Sequence, residues 1–316
     1  MADRYDLVIV GGGPAGLTAG IYASRARMKA VLIERLACGG QILTADRIEN
    51  FPGFPEGVTG PELATRMTTQ AKNAGLETRT GEVKTIISGK GREKVFTVKL
   101  AEAGDMETQA VIIATGAKWA ALGIPGEKEL SGRGVSYCAT CDGPLFRGKD
   151  VVIVGGGDTA LEDALFLARF VNRITVVHRR KELRATKILQ ERAFAEKKIE
   201  FCLNAVATEV SGRTKVEAVK VMDVETRAEK TLRADGIFIM VGITPNSGVV
   251  KGLVELDENG YIVTDDTMAA SLAGVFAAGD VRRKPLRQVV TATGEGALAA
   301  VSARHYVDEI KDTAHK

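Results

Sequence analysis

Two glycine clusters, each directly after a short apolar run, constrain the fold of this 316-residue chain more than any other feature. Run and cluster occupy residues 5–16 in one copy and 150–160 in the other, and each continues into a helical stretch and a second apolar run. That second run ends at Glu34 or at His178, in both copies 23 residues after the first glycine. Equal spacing without evident sequence identity indicates two copies of one β-turn-α-β unit. Short apolar runs are typical of buried parallel strands, so the sequence predicts an α/β fold with two Rossmann-like dinucleotide-binding domains.

The first cluster has the pattern G-x-G-x-x-G at Gly11, Gly13 and Gly16. In this pattern the first glycine permits a tight turn, the second lets a pyrophosphate approach the backbone, and the third lets the helix pack on the sheet. The helix N-terminus offers unpaired N–H groups and the positive end of its dipole to the phosphates. Glu34 is placed to accept hydrogen bonds from ribose hydroxyls. The pattern favours a dinucleotide site over the alternative, a glycine-rich turn beside a surface glutamate.

The second cluster, at residues 155–160, has the pattern G-x-G-x-x-A and a different ribose end. His178 replaces the glutamate, and Arg179 and Arg180 follow it. A carboxylate would repel a 2′-phosphate, whereas guanidinium groups bind it through charge-assisted hydrogen bonds. Arg184 is near enough in sequence to join them. The arrangement favours NADPH over NADH, and the alternative is a solvated basic stretch.

Cys138 and Cys141 form a C-x-x-C pair, for which three interpretations compete. A structural zinc site needs about four ligands, but Cys38, Cys202 and the histidines are scattered along the chain. The second interpretation, a pair of inert thiols in the core, does not suit cysteines that are flanked by polar residues. A redox pair suits the spacing best, because two such cysteines can close a small disulphide and a helix start favours the thiolate. Asp142 follows directly and can give a proton to a leaving sulphur, or serve only as a turn or capping residue.

Charge and hydropathy exclude several functions. The 43 basic and 40 acidic side chains give a net charge of +3 with no long run of one sign, so we expect neither nucleic acid nor a membrane surface as a partner. No uninterrupted apolar stretch reaches the length of a membrane span. The first residues enter a strand without a signal-peptide core, and the cysteine usage suits a reducing compartment. We therefore expect a cytoplasmic protein without a metal ion.

Several motifs follow one another along the chain in a fixed order. They are GGGPAG at 11–16, GGQ at 39–41, ENFPG at 49–53, ATG at 114–116, CATCDG at 138–143, GGGDTA at 155–160, HRR at 178–180, AGD at 278–280 and RQ at 287–288. The ordered set is more specific than any single motif in it. Through this set, the chain resembles the low-molecular-weight thioredoxin reductases along nearly its whole length. The resemblance implies a three-layer ββα/βα architecture. In each domain, alternating apolar runs with glycine turn signals also predict a small antiparallel meander, near 78–115 and 201–241.

The resemblance also implies an FAD site, an NADPH site and a redox-active disulphide. The implied FAD-binding residues are Gly11, Gly13, Pro14, Ala15, Glu34, Gly40, Gln41, Asn50, Gly116, Gly279, Asp280, Arg287 and Gln288. The implied NADPH-binding residues are Gly156, Gly157, Asp158, Thr159, His178, Arg179, Arg180 and Arg184. Cys141 would face the flavin, Cys138 would attack the disulphide of a protein substrate, and Asp142 would be the acid–base residue.

By the same resemblance, residues 1–116 and 246–316 would form the FAD-binding domain, and residues 117–245 an NADPH-binding domain that carries the C-x-x-C pair. The protein would be a homodimer. It would transfer electrons from NADPH through FAD and the Cys138–Cys141 disulphide to oxidised thioredoxin or a thioredoxin-like protein.

Two alternatives compete with this function. One is a related NADPH-dependent flavoprotein disulphide reductase with another thioredoxin-like or peroxide-reducing partner, and the other is a non-enzymatic flavin redox sensor. The flavoprotein subunit of alkyl hydroperoxide reductase has an additional N-terminal thioredoxin-like region, which we do not expect because the first nucleotide-binding strand begins near residue 5. Ferredoxin–NADP reductases of similar build lack the C-x-x-C pair, so Cys138 and Cys141 argue against them.

Overall fold

The chain divides into two compact units. The computed structural model describes residues 3–45, 47–89, 95–102 and 104–314. The first unit comprises Met1–Ala45, Phe51–Lys118 and Thr244–Lys316, and the second comprises Asp46–Asn50 and Trp119–Ile243. The short segment that contains Asn50 therefore groups with the second unit, whereas the sequence places it in the FAD-binding domain.

The first unit is built on a seven-stranded sheet. Its parallel strands are β1 (Asp3–Val10), β2 (Ala30–Glu34), β3 (Glu77–Thr80), β6 (Met106–Ile113) and β17 (Val275–Ala277). The strands β4 (Val83–Ser88) and β5 (Phe96–Leu100) form an antiparallel hairpin that pairs with the first residues of β6. The order is β3-β2-β1-β6-β5-β4, and β17 pairs with the last residues of β6. The apolar ends of β1 and β6 are buried, as expected for central parallel strands.

The described residues of the first unit form three α-helices: α1 (Pro14–Arg25), α2 (Gly60–Asn73) and α6 (Val289–Ala314). Helix α1 begins at Pro14, because the fixed φ angle of proline suits a first helical position, where no N–H is needed. Helix α2 begins after Thr59, whose hydroxyl accepts a hydrogen bond from the Glu62 N–H at 3.3 Å. Helix α6 is the longest of the three, and it packs against α1.

The second unit repeats the parallel arrangement. Its strands are β8 (Val135–Ser136), β9 (Asp150–Val154), β10 (Arg173–His178), β11 (Ile199–Leu203) and β15 (Gly236–Ile239), in the order β11-β10-β9-β15-β8. Its helices are α3 (Ala139–Asp142), α4 (Asp158–Leu167) and α5 (Lys187–Ala195). The turn between β9 and α4 is the second glycine cluster, just as the turn between β1 and α1 is the first.

Antiparallel pairing is less extensive than the sequence suggests. In the second unit it is confined to a sheet of β12 (Ala205–Ser211), β13 (Ala218–Asp223) and β14 (Glu229–Arg233). Strands β11 and β15 fall in the predicted 201–241 region but pair in the parallel sheet. Likewise β3, at the start of the 78–115 region, pairs parallel with β2. The strands β7 (Ala117–Trp119) and β16 (Ile243–Pro245) form a separate two-stranded sheet.

Each unit has its own hydrophobic core. Val8, Val111 and Val275 are fully buried in the first, and Ile153 and Val176 are fully buried in the second. These side chains belong to the parallel strands, so the cores fix the ends of the strands at which the glycine clusters lie. In the part of the chain that the structure describes, no helix combines the length and apolar composition needed to cross a membrane.

Candidate cofactor and disulphide sites

In the first unit, four parallel strands end beside one another: β2, β1, β6 and β17. Gly11, Glu34, Gly116 and Gly279 lie at or just beyond these ends. Ligands of open α/β sheets bind at the carboxyl ends of the strands. The fold therefore gathers predicted FAD-binding residues from four separate stretches of sequence at one sheet edge.

The glycines of the first turn differ in what surrounds them. Gly11 has a φ of +109°, and a Cβ there would overlap the carbonyl group of Ala114. A Cβ on Gly16 would overlap the carbonyl oxygen of Gly11. At Gly13, however, no protein atom lies within 4 Å of the position a Cβ would take. Folding thus requires glycine at the first and third positions, whereas the space beside Gly13 is open to a ligand group such as the pyrophosphate of FAD.

Glu34 contacts the backbone through both carboxylate oxygens. Oε2 accepts a hydrogen bond from the Gly12 N–H at 2.8 Å, and Oε1 accepts one from the Leu36 N–H at 3.1 Å. Each carboxylate oxygen has a further lone pair. The side chain can therefore hold the glycine turn in shape and still accept a hydrogen bond from a ribose hydroxyl.

Three further predicted FAD-binding residues lie in the first unit, two at the start of the 3-10 helix Gly40–Thr44 and one just after β6. Gly40 has a φ of +59°, and a Cβ there would approach the Gly13 Cα to 3.2 Å. The exposed Gln41 donates from Nε2 to the carbonyl of Ala117 at 2.5 Å. Gly116 has a φ of +67° and open space beside it. All three lie in the same unit as the first glycine turn, whereas the exposed Asn50 belongs to the second unit.

Asp280 belongs to a largely buried network of charges. Its Oδ1 lies 3.3 Å from Nζ of Lys284, but no hydrogen bond satisfies that oxygen within the described part of the protein. Burial raises the pKa of Asp280 and Lys284 opposes the rise. Lys284 also lies 3.3 Å from Oε2 of Glu295, which accepts a hydrogen bond from the Gly279 N–H at 2.8 Å, while Oε1 pairs with Arg282 at 2.9 Å. The buried oxygen of Asp280 fits a hydroxyl or ring N–H of a bound flavin nucleotide.

The remaining predicted FAD-binding residues surround α1 and α6. Pro14 and Ala15 are the first residues of α1, and a Cβ on Gly279 would meet that of Ala15 at 2.9 Å. Arg287 and Gln288 directly precede α6. The Arg287 guanidinium lies 4.3 Å from the ring centroid of Tyr261. Its buried Nε has no hydrogen-bond partner among the described residues, as expected of a donor awaiting a ligand.

The glycine turn of the second unit repeats the first in detail. Gly156 and Gly12 hold corresponding positions, and each lies against the residue that ends the next strand. A Cβ on Gly156 would overlap the ring of His178, and a Cβ on Gly12 would lie 3.1 Å from Cβ of Glu34. Beside Gly157 the space is nearly open, with only an Arg184 guanidinium nitrogen 3.7 Å away. His178 is buried, burial lowers its pKa, and its Nε2 has no hydrogen-bond partner among the described residues. This turn can also admit a pyrophosphate.

The basic residues after β10 fall into two groups. Arg179, Arg180 and Arg184 are exposed, and none forms an ion pair with a described carboxylate. Lys181, by contrast, pairs with Glu225 at 2.7 Å. Three uncompensated guanidinium groups beside an open glycine turn are a suitable donor set for a 2′-phosphate.

Asp158 and Thr159, at the start of α4, are exposed. Oδ1 of Asp158 accepts a hydrogen bond from the Thr186 N–H at 2.6 Å. Asp158 therefore orders the loop that follows the three arginines, a local role that the sequence does not predict.

Cys138 and Cys141 form a disulphide at the start of α3, with their Cα atoms 5.3 Å apart. Cys138 caps the helix, and its sulphur accepts a hydrogen bond from the Cys141 N–H at 3.2 Å. Asp142 ends α3, and its Oδ2 accepts a hydrogen bond from the hydroxyl of Ser136 at 2.6 Å. The predicted pair is thus bonded, and the predicted acid–base residue is adjacent to it.

A buried carboxylate near the disulphide is not predicted from the sequence. Glu127 accepts hydrogen bonds from the N–H groups of Leu122 and Gly123 at 3.1 and 2.8 Å and from the hydroxyl of Tyr137 at 2.7 Å. Burial and this hydrogen bond raise the pKa of Tyr137. Because Tyr137 precedes Cys138, Glu127 ties the loop at 122–123 to the redox segment. Neither its spacing nor its neighbours mark it in the sequence.

The other two cysteines are free and half-buried. Burial raises the pKa of both the Cys38 and the Cys202 thiols. Both are therefore less nucleophilic than an exposed thiol at neutral pH. Within the described ranges no cluster of three potential metal ligands occurs.

Comparison with known proteins identifies the family. The profile of the pyridine nucleotide-disulphide oxidoreductases matches residues 5–296. The chain belongs to this family. It is 47% identical to a Bacillus subtilis thioredoxin reductase, over 98% of this chain and 96% of that protein. It is 46% identical to a Listeria innocua thioredoxin reductase, over 98% of this chain and 95% of that protein. A crystal structure of thioredoxin reductase from Streptococcus pyogenes superimposes with a TM-score of 0.93 at 44% identity, covering 98% of this chain and 100% of that one.

These matches confirm the resemblance, the α/β fold with two Rossmann-like domains and the enzyme class expected from the sequence. Membership makes the chain an FAD- and NADPH-dependent disulphide oxidoreductase of the thioredoxin reductase group. The open space at Gly13, the unsatisfied oxygen of Asp280 and the unpaired arginines show that the residues present fit both cofactors. The assignment of individual residues to each cofactor stays a prediction.

Proposed function

We propose that this protein reduces the disulphide of thioredoxin, or of a thioredoxin-like protein, with electrons from NADPH, and that Cys138 and Cys141 carry the electrons to the protein substrate. The observation that carries this proposal is the Cys138–Cys141 disulphide beside Asp142, in the same unit as the second glycine turn. When bound, FAD supplies the two-electron relay between NADPH and that disulphide.

The first unit provides the residues proposed to hold FAD. Gly13 leaves room for the pyrophosphate, and the N-terminus of α1 presents backbone N–H groups to it. Glu34 accepts from the ribose, while Asp280 and Arg287 offer a buried acceptor and a buried donor to the rest of the nucleotide. The first unit is thereby proposed to be the FAD-binding domain.

The second unit provides the residues proposed to hold NADPH. Gly157 leaves the corresponding room for a pyrophosphate at the N-terminus of α4. Arg179, Arg180 and Arg184 bind the 2′-phosphate, and His178 lies beneath the turn. The second unit is thereby proposed to be the NADPH-binding domain.

The reduced cysteine pair performs the exchange with the protein substrate. The Cys138 thiolate attacks one sulphur of the substrate disulphide, which forms a mixed disulphide and releases the other substrate sulphur as a thiolate. The Cys141 thiolate then attacks the Cys138 sulphur, which restores the Cys138–Cys141 bond and releases the second substrate sulphur. Two electrons and two protons pass from the dithiol to the substrate, which leaves as a dithiol.

Asp142 is proposed to hold and move one of these protons. A carboxylate adjacent to Cys141 can take a proton from a thiol and return it to a leaving thiolate. Asp142→Asn removes this capacity while keeping the shape. We expect it to slow oxidation of the reduced cysteine pair by thioredoxin and to leave reduction of the bound cofactor by NADPH largely unchanged. Equal slowing of both steps would argue against the role.

The decisive experiment measures NADPH-dependent reduction of a panel of thioredoxins by purified, FAD-loaded protein. Cys138→Ser and Cys141→Ser are expected to abolish turnover, because each removes one sulphur of the relay. Cys202→Ser is the matched control, since Cys202 is a free half-buried cysteine in the same unit. Sustained turnover by both single variants, or failure of the wild type on every thioredoxin, would overturn the proposed function.

We further infer a homodimer located in the cytoplasm. Val290 and Leu298 are exposed apolar side chains on α6, and Tyr22 of α1, the helix packed against α6, is also exposed. Exposed large apolar side chains on two packed helices support an interface between two copies. Analytical ultracentrifugation of the wild type and of Leu298→Glu tests it, and fractionation of cells tests the location.

A further inference from the structure

Ser136 is a buried polar residue beside the redox pair. It ends β8, two residues before Cys138, and is only 3% exposed. Pairing with β15, in which Ser136 lies opposite Phe238, fixes its backbone. A buried hydroxyl requires hydrogen-bond partners, so its contacts are part of the local structure.

The hydroxyl of Ser136 connects both sides of the site. It lies 2.6 Å from Oδ2 of Asp142, and the Cys138 N–H donates to Oγ at 3.1 Å. A serine hydroxyl has one proton, and the short distance to a carboxylate assigns that proton to Asp142. Its lone pairs accept from Cys138. Oγ of Ser136 therefore contacts both the backbone of Cys138 and the carboxylate of Asp142, the residue that follows Cys141.

We propose that Ser136 is a positioning residue for thiol–disulphide exchange, which holds the Asp142 carboxylate beside the cysteine pair. The inference rests on the acid–base role proposed for Asp142. Helix α3 has only four residues, so it cannot by itself fix the side chain at its last position. The hydrogen bond from Ser136, whose backbone is paired with β15, restricts rotation of the carboxylate and keeps it where the proton must be taken up and returned.

Loss of this hydroxyl has a measurable consequence. In the dithiol form, one proton leaves a cysteine as its sulphur attacks, and one returns to the departing substrate sulphur. Without the hydrogen bond from Ser136, the Asp142 carboxylate is positioned less firmly and performs this transfer less often. Hydrogen bonds to charged groups are strong enough that we expect Ser136→Ala to slow oxidation of the pre-reduced protein by thioredoxin about 10- to 100-fold.

The test is a double-mutant cycle on FAD-loaded protein. Rates of oxidation of the reduced cysteine pair by thioredoxin are measured for wild type, Ser136→Ala, Asp142→Asn and the double variant. If Ser136 acts through Asp142, Ser136→Ala slows the wild type but changes the Asp142→Asn protein by less than about twofold. Ser136→Ala leaves the rate at which NADPH reduces the bound cofactor unchanged. Ser136→Thr, which keeps the hydroxyl, retains most of the rate of oxidation by thioredoxin.

Three outcomes would overturn the inference: a wild-type rate in Ser136→Ala, an undiminished effect of Ser136→Ala in the Asp142→Asn background, or an equal loss in Ser136→Thr with its hydroxyl present. Ser136→Val has the shape of threonine without the hydroxyl, and it replaces the alanine variant if that protein does not fold. If Cys138→Ser also retains turnover, the proposed function itself fails. Loss of turnover in Cys138→Ser with no effect of Ser136→Ala overturns only the role of Ser136.

A general effect of losing a buried serine is measured separately. Ser247 in the first unit is 6% exposed, and its hydroxyl donates to the carbonyl of Gly260 at 2.6 Å. Ser247→Ala also removes a buried hydroxyl and its hydrogen bond, but it lies outside the second unit. We expect it to leave the exchange rate within about twofold of the wild type while its midpoint of thermal unfolding falls.

Discussion

The carboxylate of Glu34 accepts a hydrogen bond at 2.8 Å from the N–H of Gly12, the central residue of the first glycine turn. The sequence predicts Glu34 only as an acceptor for ribose hydroxyls. In the structure the same side chain also fixes the turn that a pyrophosphate would approach. Shape and ligand binding are therefore coupled through one residue.

This coupling predicts that Glu34→Gln weakens FAD binding even though its size is unchanged. The NH2 group of the glutamine side chain cannot accept a hydrogen bond from a backbone N–H. One of the two hydrogen bonds, from Gly12 or from Leu36, is therefore lost. Loss of this contact loosens the turn that the pyrophosphate would approach, and we expect an affinity for FAD that is about tenfold weaker, equivalent to about 1.4 kcal/mol. Titration of apoprotein with FAD measures it. The exposed Glu107→Gln on β6 is the control, and equal affinities of the two variants would contradict the prediction.

The two kinds of glycine in the first turn predict opposite effects of a single methyl group. Gly13→Ala adds a Cβ to open space, so apoprotein stability should stay within about 0.5 kcal/mol while FAD affinity falls. Gly16→Ala places its Cβ on the carbonyl oxygen of Gly11 and should lower the free energy of unfolding by more than about 2 kcal/mol. Urea unfolding of the apoproteins, followed by titration with FAD, separates the two. Normal FAD affinity in Gly13→Ala would show that no phosphate lies there.

The duplicated β-turn-α-β unit could be predicted from the sequence because its signals are local. An apolar run, a glycine turn and a second run lie within 35 residues, and each part has its own physical cause. Strand pairing across longer distances was harder to predict. Strands β11 and β15 lie next to turns like those of the antiparallel strands that follow β11 along the chain. Their parallel pairing depends on partners distant in sequence, because β11 pairs with β10 at the sheet edge and β15 lies between β9 and β8.

Some features were missed although a signal exists, and others have none. Helix α2 is not predicted, yet Thr59 and Glu62 are spaced as in a capping box, with Pro61 between them at the helix start. The contact of Glu295 with Gly279 and Lys284 has no sequence signal, because residues 16 and 11 positions apart meet only after α6 packs on the sheet. Ser136 lies near Cys138 in sequence, but nothing in the sequence shows that its hydroxyl reaches Asp142.

The unpaired arginines predict how the protein selects its nicotinamide cofactor. Arg179→Ala and Arg180→Ala should each lower kcat/KM for NADPH about tenfold or more, because a charge-assisted contact to the 2′-phosphate is lost, and should change that for NADH by less than about twofold. Lys181→Ala is the matched control, since Lys181 is already paired with Glu225. Steady-state rates with both cofactors measure the ratio. A wild type that prefers NADH, or a Lys181→Ala effect as large as that of the arginines, would disprove the assignment.

Asp163 on α4 predicts a pH-dependent stability of the second unit. Burial, and then Glu162, raise its pKa from 3.8 to about 6, and it has no hydrogen-bond or ion-pair partner among the described residues. Because the folded pKa lies above the unfolded value, the favourable contribution is complete below pH 3.8 and is lost as the pH rises through 6. Asp163→Asn should therefore raise the free energy of unfolding at pH 7.5 by about 1–3 kcal/mol and change it little at pH 4. The single tryptophan, Trp119, lies in this unit, so its fluorescence during urea unfolding reports the transition. The control is Glu191→Gln, an exposed carboxylate on α5 that does not contribute to the raised pKa of Asp163. A gain of equal size at both pH values would show that the charge of Asp163 is not the cause.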